Sequence, residues 1–305
     1  MMYRTKVMVI YIFGLFMTVI DGTMVNVALP TLADEFGVST TDIEWVAVGY
    51  LLALAAMIPA AGWLGDRFGT KRMFVAALAV FVVTSMLCGL SQTLDQLVVF
   101  RVLQGLGGGL LAPIGGAMLY RAFPMEERAK AAIGVLSVTV IAPAIGPMLG
   151  GILVDTTSWR WIFFINGPIG ALAVALAILW LRESTQDEPG KFDAAGFVLS
   201  AASVSILLYT LSIGPEAGWL SAKTLTFGAI GVACLISLLV IELRIPEPIL
   251  ALRLFQDDLF RKINISASHW PTALGLMFST RRTLRSRGSP LGPRRASFPP
   301  DCRAV

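Results

Sequence analysis

Residues 45–90 read WVAVGYLLALAAMIPAAGWLGDRFGTKRMFVAALAVFVVTSMLCGL. This stretch holds two apolar runs, Trp45–Leu64 and Met73–Leu90, joined by the short segment GDRFGTKR. Each run is close to the length of about 20 residues that a helix needs to cross a bilayer. Because lipid offers no water to the backbone, a single run of this kind is predicted to be a helix. The stretch therefore predicts two membrane-spanning helices connected by a short basic loop.

The same pattern extends over most of the chain. Hydrophobic residues make up 56% of the 305 and charged residues 14%, whereas soluble domains carry about 25% charged residues. The first apolar run is too long for a signal-peptide core and lacks a small-residue cleavage site, so we expect it to be retained. Six further runs are Val7–Leu29, Leu97–Leu119, Ala131–Val154, Trp161–Leu181, Ala194–Ile213 and Leu225–Ile241. The sequence thus predicts an all-α polytopic membrane protein with eight transmembrane helices.

The distribution of basic residues predicts the orientation in the membrane. With a cytoplasmic N-terminus, the inside segments up to residue 262 hold fourteen Lys and Arg residues, and the outside loops hold only Arg160 and Lys223. Lys and Arg are enriched in cytoplasmic loops of membrane proteins. We therefore expect both termini in the cytoplasm and the protein in the cytoplasmic (inner) membrane.

The loop between the second and third runs carries a motif. Taken by itself, it is a short, positively charged turn in which glycines make the bend. That interpretation explains the basic residues but not the acidic residue or the glycine spacing. The pattern resembles the major facilitator superfamily signature G-x-L-x-D-R-x-G-x-K-R at every position. The resemblance implies a gating loop formed by Gly62, Asp66, Arg67, Gly69, Lys71 and Arg72.

Further motifs resemble the drug:proton antiporters of this superfamily. Residues 20–30, IDGTMVNVALP, are similar to the first-helix signature, and residues 97–105, LVVFRVLQG, to the fourth-helix signature R-x-x-Q-G. Residues 142–151, APAIGPMLGG, resemble the antiporter motif G-x-x-x-G-P-x-x-G-G, with Ala142 in place of its first glycine. Residues 159–168, WRWIFFINGP, resemble the fourteen-helix, EmrB/QacA-type branch. The resemblance covers residues 7–265.

The resemblance implies two six-helix bundles around a central cavity, with two additional helices between them. Residues 1–182 correspond to the N-terminal bundle, and residues 183–243 to the two inserted helices. Residues 244–265 correspond to a cytoplasmic segment that leads to the second bundle, which we expect to be absent. The Arg- and Pro-rich residues 266–305 have a composition typical of disorder. We expect this tail to result from a frameshift or premature truncation, and an unusual natural tail is the alternative.

Two ionisable side chains inside the apolar runs are candidates for proton coupling. Asp21 lies about 12 Å and Arg101 about 6 Å from the predicted outer ends of their helices, at 1.5 Å per residue. A charge within the bilayer costs free energy, so it usually faces the bundle interior and a partner. We therefore expect the two side chains to approach each other. They form either a static ion pair that joins two helices or a proton site at Asp21, where Arg101 favours the charged carboxylate.

Other polar and small residues of these motifs have predicted roles. Gln104 and Asn26 are candidates for lining the cavity, although Gln104 could instead bond to a neighbouring backbone. Ala142, Gly146 and Gly150 recur every four residues and predict a close helix crossing. In the family, Gly146, Pro147, Gly150 and Gly151 belong to the antiporter helix motif.

The leading functional hypothesis is a proton-coupled exporter of hydrophobic or cationic compounds, in a truncated form that is inactive alone. The alternative is a non-transporting membrane protein that pairs with another chain. An enzyme is not expected, because the sequence shows no nucleophile–base pair, metal cluster or phosphate-binding loop. The expected partners are a proton, a small hydrophobic or cationic substrate and the lipid bilayer. Some family members also use a periplasmic adaptor protein. No cofactor, metal or nucleic acid is expected.

Overall fold

A computed structural model describes residues 2–185 and 190–245. Eight helical segments in this part are long and apolar enough to cross a membrane, which confirms the prediction of an all-α multi-pass membrane protein. The helices are α1 (Tyr3–Phe36), α2 (Thr40–Ile43), α3 (Trp45–Met57), α4 (Ala61–Phe68), α5 (Thr70–Leu90), α6 (Leu94–Ala122), α7 (Met125–Thr156), α8 (Arg160–Phe164), α9 (Asn166–Trp180), α10 (Ala194–Ala217) and α11 (Ala222–Glu242).

Two of the predicted apolar runs are interrupted rather than continuous. The run Trp45–Leu64 is divided between α3 and α4 by a turn that contains Pro59. The run Trp161–Leu181 is divided between α8 and α9 at Ile165, three residues before Pro168. Proline lacks the backbone N–H that an uninterrupted helix would use. The first break ends the second span at Met57 instead of Leu64. The second break lies inside a span, Arg160–Trp180, that is still long and apolar enough to cross a membrane, and it places Asn166 at the start of a helix.

The first six spans pack around α1 and α6. Helix α1 contacts α6, α7 and α9, and α6 lies between α3 and α5. Glycines on α6 allow this close approach. A Cβ at Gly107 would lie 2.8 Å from the carbonyl oxygen of Ala77 on α5, and a Cβ at Gly105 would overlap the backbone of Tyr50 on α3. The glycine run thus positions Arg101, which lies one turn before Gly105, against α3.

The small residues of α7 face α1, as the sequence predicts. Ala142, Gly146 and Gly150 are buried. A Cβ at Gly146 would overlap the hydroxyl oxygen of Thr23, and a Cβ at Gly150 would lie 3.0 Å from the carbonyl oxygen of Met24. Close helix crossings of this kind depend on small residues.

Helices α10 and α11 pack against each other, and α10 packs against α3. Tyr209 on α10 stacks on Trp45 of α3, with 5.6 Å between the ring centroids, and Phe227 on α11 contacts Tyr209 edge-on at 5.0 Å. The predictions for residues 266–305 and for nearly all of 244–265 lie outside the described residues.

Candidate functional site

The predicted contact between Asp21 and Arg101 is present in the centre of the bundle. Nη1 of Arg101 on α6 lies 2.5 Å from Oδ2 of Asp21 on α1. Asp21 is 0% exposed and Arg101 is 1% exposed. The two charges are therefore paired away from solvent, where an unpaired charge would be strongly destabilising.

Two amide side chains complete the surroundings of the Asp21 carboxylate. Gln104 Nε2 donates to Asp21 Oδ1 at 3.1 Å, and Asn166 Nδ2 donates to the same oxygen at 3.0 Å. Asn166 lies 145 residues after Asp21 in the chain. The sequence analysis placed it in a family motif but did not predict it as a site residue. The one feature of the sequence that could have indicated this role is that Asn166 is a single amide side chain within an apolar run.

Hydrogen bonds and ring stacking fix the Arg101 side chain. Its Nε donates to the Val46 carbonyl at 3.1 Å, and its Nη1 donates to Gln104 Oε1 at 2.8 Å. Its guanidinium carbon lies 4.1 Å from the centre of the Tyr50 ring. A planar guanidinium suits this combination of directed hydrogen bonds and ring stacking.

A largely apolar cavity of about 400 Å³ lies beside this network. Its wall comes from α1, from α3 with the turn that follows it, and from α6. The lining residues are Leu15, Thr18, Val19, Gly22, Thr23, Asn26, Ala47, Tyr50, Leu51, Leu54, Ile58, Arg101, Gly108, Gly109 and Ala112. Pockets that bind small molecules have volumes of about 300–1,000 Å³.

The lining contains Asn26, one of the two candidates for lining the cavity, but not the other. Gln104 is 0% exposed and is not among the lining residues, because its amide bonds to Asp21 and Arg101 instead. Asp21 is likewise absent from the wall, so a cationic compound in this cavity does not meet its carboxylate directly. The charged side chain that borders the cavity is Arg101.

The predicted gating loop is bound to its own bundle. Asp66 Oδ1 pairs with Nη2 of Arg121, at the end of α6, at 2.7 Å. Gly69 has a φ of 95°, a conformation that glycine adopts most readily. Gly62 and Arg67 are exposed.

A residue that follows the sixth span also holds this loop. The carboxylate of Glu183 accepts the backbone N–H groups of Lys71 at 3.1 Å and Arg72 at 3.2 Å. Sequence reasoning assigned no role to Glu183, because only the folded chain brings the segment after α9 to the start of α5. The loop is thus joined to two other segments of the same bundle.

The antiporter motif on α7 is divided between two faces. Gly146 and Gly150 pack against α1, whereas Pro147 is exposed and a Cβ at Gly151 would meet no atom within 4 Å. In residues 2–185 and 190–245, no cluster of three or more His, Cys, Asp and Glu side chains is placed to hold a metal ion.

Comparisons with known proteins identify relatives of the chain. The family model of the Major Facilitator Superfamily matches residues 11–281. Multidrug resistance protein 3 of Bacillus subtilis (strain 168) is 34% identical over 255 residues, which is 83% of this chain and 50% of that protein. A protein named MdtD from Enterobacter sp. (strain 638) is 40% identical over 227 residues, 74% of this chain and 47% of that protein. The chain spans about half the length of these curated relatives.

A solved structure shows a similar fold. The crystal structure of a peptide transporter, POT, in complex with sulfate superposes with a TM-score of 0.59 at 16% identity. The match covers 79% of this chain and 53% of that one. At this identity the likeness concerns the fold alone.

Proposed function

Because the chain belongs to the Major Facilitator Superfamily, whose members are membrane transporters, we propose that it forms one half of a proton-coupled drug exporter in the cytoplasmic membrane. In this proposal the proton binds to Asp21, and hydrophobic or cationic compounds occupy the cavity beside Arg101. A relative named as a multidrug resistance protein supports export of drugs as the activity. The observation that carries the proposal is the buried Asp21–Arg101 pair next to an apolar cavity.

The placement of Arg101 gives the coupling a physical basis. With Asp21 charged, the pair is neutral overall and a cation in the cavity meets little net charge. A proton on Asp21 leaves the charge of Arg101 unbalanced, so the cavity becomes positive. Two unit charges about 8 Å apart repel by about 2 kcal/mol at an effective dielectric constant of about 20, which is about 30-fold in affinity. Proton binding and cation binding therefore oppose each other, as antiport requires, without contact between the cation and the carboxylate.

We further propose that the 305-residue chain does not export compounds alone. Alternating access requires two bundles that move against each other around a shared site. The described residues supply one bundle and the inserted helix pair, and the cavity wall comes from a single bundle. A chain that pairs with another protein without transporting is the alternative.

Efflux of a cationic dye from cells that lack their own exporters tests both the proton site at Asp21 and the inactivity of the 305-residue chain alone. One strain expresses the 305-residue chain, and another expresses a chimera that continues into the second half of the Bacillus subtilis relative. We expect proton-dependent efflux from the chimera alone. Asp21→Asn should abolish it, and Asp34→Asn, at an exposed residue of α1, should not. Efflux by the short chain contradicts inactivity alone, and proton-dependent efflux by the Asp21→Asn chimera contradicts the proton site.

A further inference from the structure

Every hydrogen-bond partner of Asp21 in the described residues is a donor. Arg101 donates to Oδ2, and Gln104 and Asn166 donate to Oδ1. This arrangement suits an ionised carboxylate, which only accepts hydrogen bonds. A protonated carboxyl carries an O–H group, and a buried O–H without an acceptor is costly. If Asp21 takes up a proton, one of its partners has to become an acceptor.

Two of the three partners cannot make that change. The Arg101 guanidinium has donors only. The carbonyl oxygen of Gln104 accepts Nη1 of Arg101 at 2.8 Å and the thiol of Cys88 at 3.8 Å. If the Gln104 amide turned over, its NH₂ group would face the N–H of Arg101. Gln104 is therefore fixed as a donor to Asp21.

Asn166 is free of this restriction. Its Nδ2 makes both of its side-chain hydrogen bonds, to Asp21 Oδ1 and to Ser85 Oγ, each at 3.0 Å. Among the described residues, its Oδ1 accepts none. The Ser85 hydroxyl accepts from Asn166 and donates to the Phe163 carbonyl at 3.0 Å. A hydroxyl can reverse these roles by rotation.

We propose that Asn166 is a positioning residue whose side-chain amide turns over when Asp21 is protonated, so that its Oδ1 accepts the new O–H group. The proton comes from water, binds Asp21 Oδ1 and returns to water when the site deprotonates. The Ser85 hydroxyl turns from Phe163 to donate to the same Asn166 oxygen. The Phe163 carbonyl keeps the backbone N–H of Ile165. The NH₂ group of Asn166 gives up Asp21 and Ser85 as acceptors and turns to the side on which Oδ1 accepts no bond in the described residues.

This inference rests on the proposed function, since it assumes that Asp21 takes up a proton. The other titratable groups around Asp21 are Arg101 on α6, Tyr50 on α3 and Cys88 on α5. Helices α7 and α8 carry charged side chains only near their ends, and α9 carries none. Asn166 and Gln104 are thus the uncharged amides in contact with the carboxylate, and they differ in whether they can turn over.

Paired substitutions test this difference. The purified 305-residue chain in lipid bilayers is titrated by infrared difference spectroscopy, and the C=O band of protonated Asp21 is the one that Asp21→Asn removes. Gln104→Leu removes a donor that favours the charged form more than the protonated form, so proton affinity should rise about tenfold or more. Asn166→Leu removes a group that favours both forms, so the change should be less than about threefold. A rise with Asn166→Leu as large as that with Gln104→Leu overturns the proposal.

A measurement on the unmutated chain covers the case in which a variant does not fold. The sequence contains three asparagines, Asn26, Asn166 and Asn264. With ¹³C,¹⁵N-labelled asparagine, the side-chain amide signals of Asn166 in solid-state NMR should move at the pH at which Asp21 is half protonated, and those of Asn26 should not. Absence of this movement while the Asp21 band titrates overturns the amide reversal alone. Absence of the band itself overturns the proposed proton site and the reversal with it.

Discussion

The carboxylate of Glu183 accepts the backbone N–H of Lys71 at 3.1 Å, at the beginning of α5. The N–H of Arg72 donates to the other carboxylate oxygen at 3.2 Å. The first N–H groups of a helix have no partner within the helix, and a negative charge there is favoured by the helix dipole. Glu183 thus satisfies two such groups and fixes the segment after α9 to the gating loop.

Loss of this contact should weaken that end of the bundle. We expect Glu183→Ala to lower the free energy of unfolding by about 1 kcal/mol, the usual cost of losing a cap. Hydrogen exchange at the amides of Lys71 and Arg72 should become faster. Glu126→Ala is a matched control, because Glu126 lies in the first turn of α7 and is exposed. Equal effects of the two substitutions would contradict the role of Glu183.

The crossing of α1 and α7 should depend on one glycine of the antiporter motif and not on another. A Cβ at Gly146 would overlap Thr23 of α1, whereas a Cβ at Gly151 would meet open space. We expect Gly146→Ala to destabilise the protein by about 1–3 kcal/mol through overpacking. Gly151→Ala should be neutral or stabilising by up to about 1 kcal/mol, because alanine favours the helix. Thermal unfolding in detergent measures both, and the opposite order would show that the helices do not cross here.

The orientation in the membrane is a separate prediction from the asymmetry of basic residues. Thr93 precedes α6 and Pro124 precedes α7, so one membrane span separates them. Reporter fusions after these two residues should give opposite signals, with the Pro124 fusion active in the cytoplasm. Signals from the same side at both positions would refute the topology.

The sequence predicts the spans and the Asp21–Arg101 contact because both depend on one strong constraint. A charge in lipid needs a partner, and these two runs each offer one charge at similar depth. The breaks at Pro59 and Ile165 were not predicted, since apolar composition continues through both. The role of Glu183 was not predicted for a different reason. A Glu after a membrane span looks like any solvated linker residue until the fold places it beside α5.

The role of Asn166 could not be read from the sequence either. An amide in an apolar run indicates a buried hydrogen bond but not its partner. The choice among many carboxylates and carbonyls depends on how α1, α5 and α9 meet. The same limit applied to Gln104, which lies one turn from Arg101 and for which the sequence left open whether it lines the cavity or bonds to a neighbouring backbone. The depth of Gln104 in the membrane follows from its position on the predicted helix. The direction of its side chain depends on where Asp21 lies.

Neutralising both members of the buried pair distinguishes the two interpretations that the sequence left open. Arg101→Gln alone leaves the Asp21 charge buried without its cation, so it should destabilise the bundle by about 3–5 kcal/mol. Asp21→Asn with Arg101→Gln removes both charges and should cost clearly less than Arg101→Gln alone. Stability is measured by thermal unfolding of the purified chain, and the pH dependence of cationic-dye efflux is measured with the chimera. If the pair is only a structural link, the stable double variant should keep pH-dependent efflux. If Asp21 is the proton site, the double variant should remain folded, bind the dye equally well at all pH values and show no proton-driven efflux, which is the result we expect.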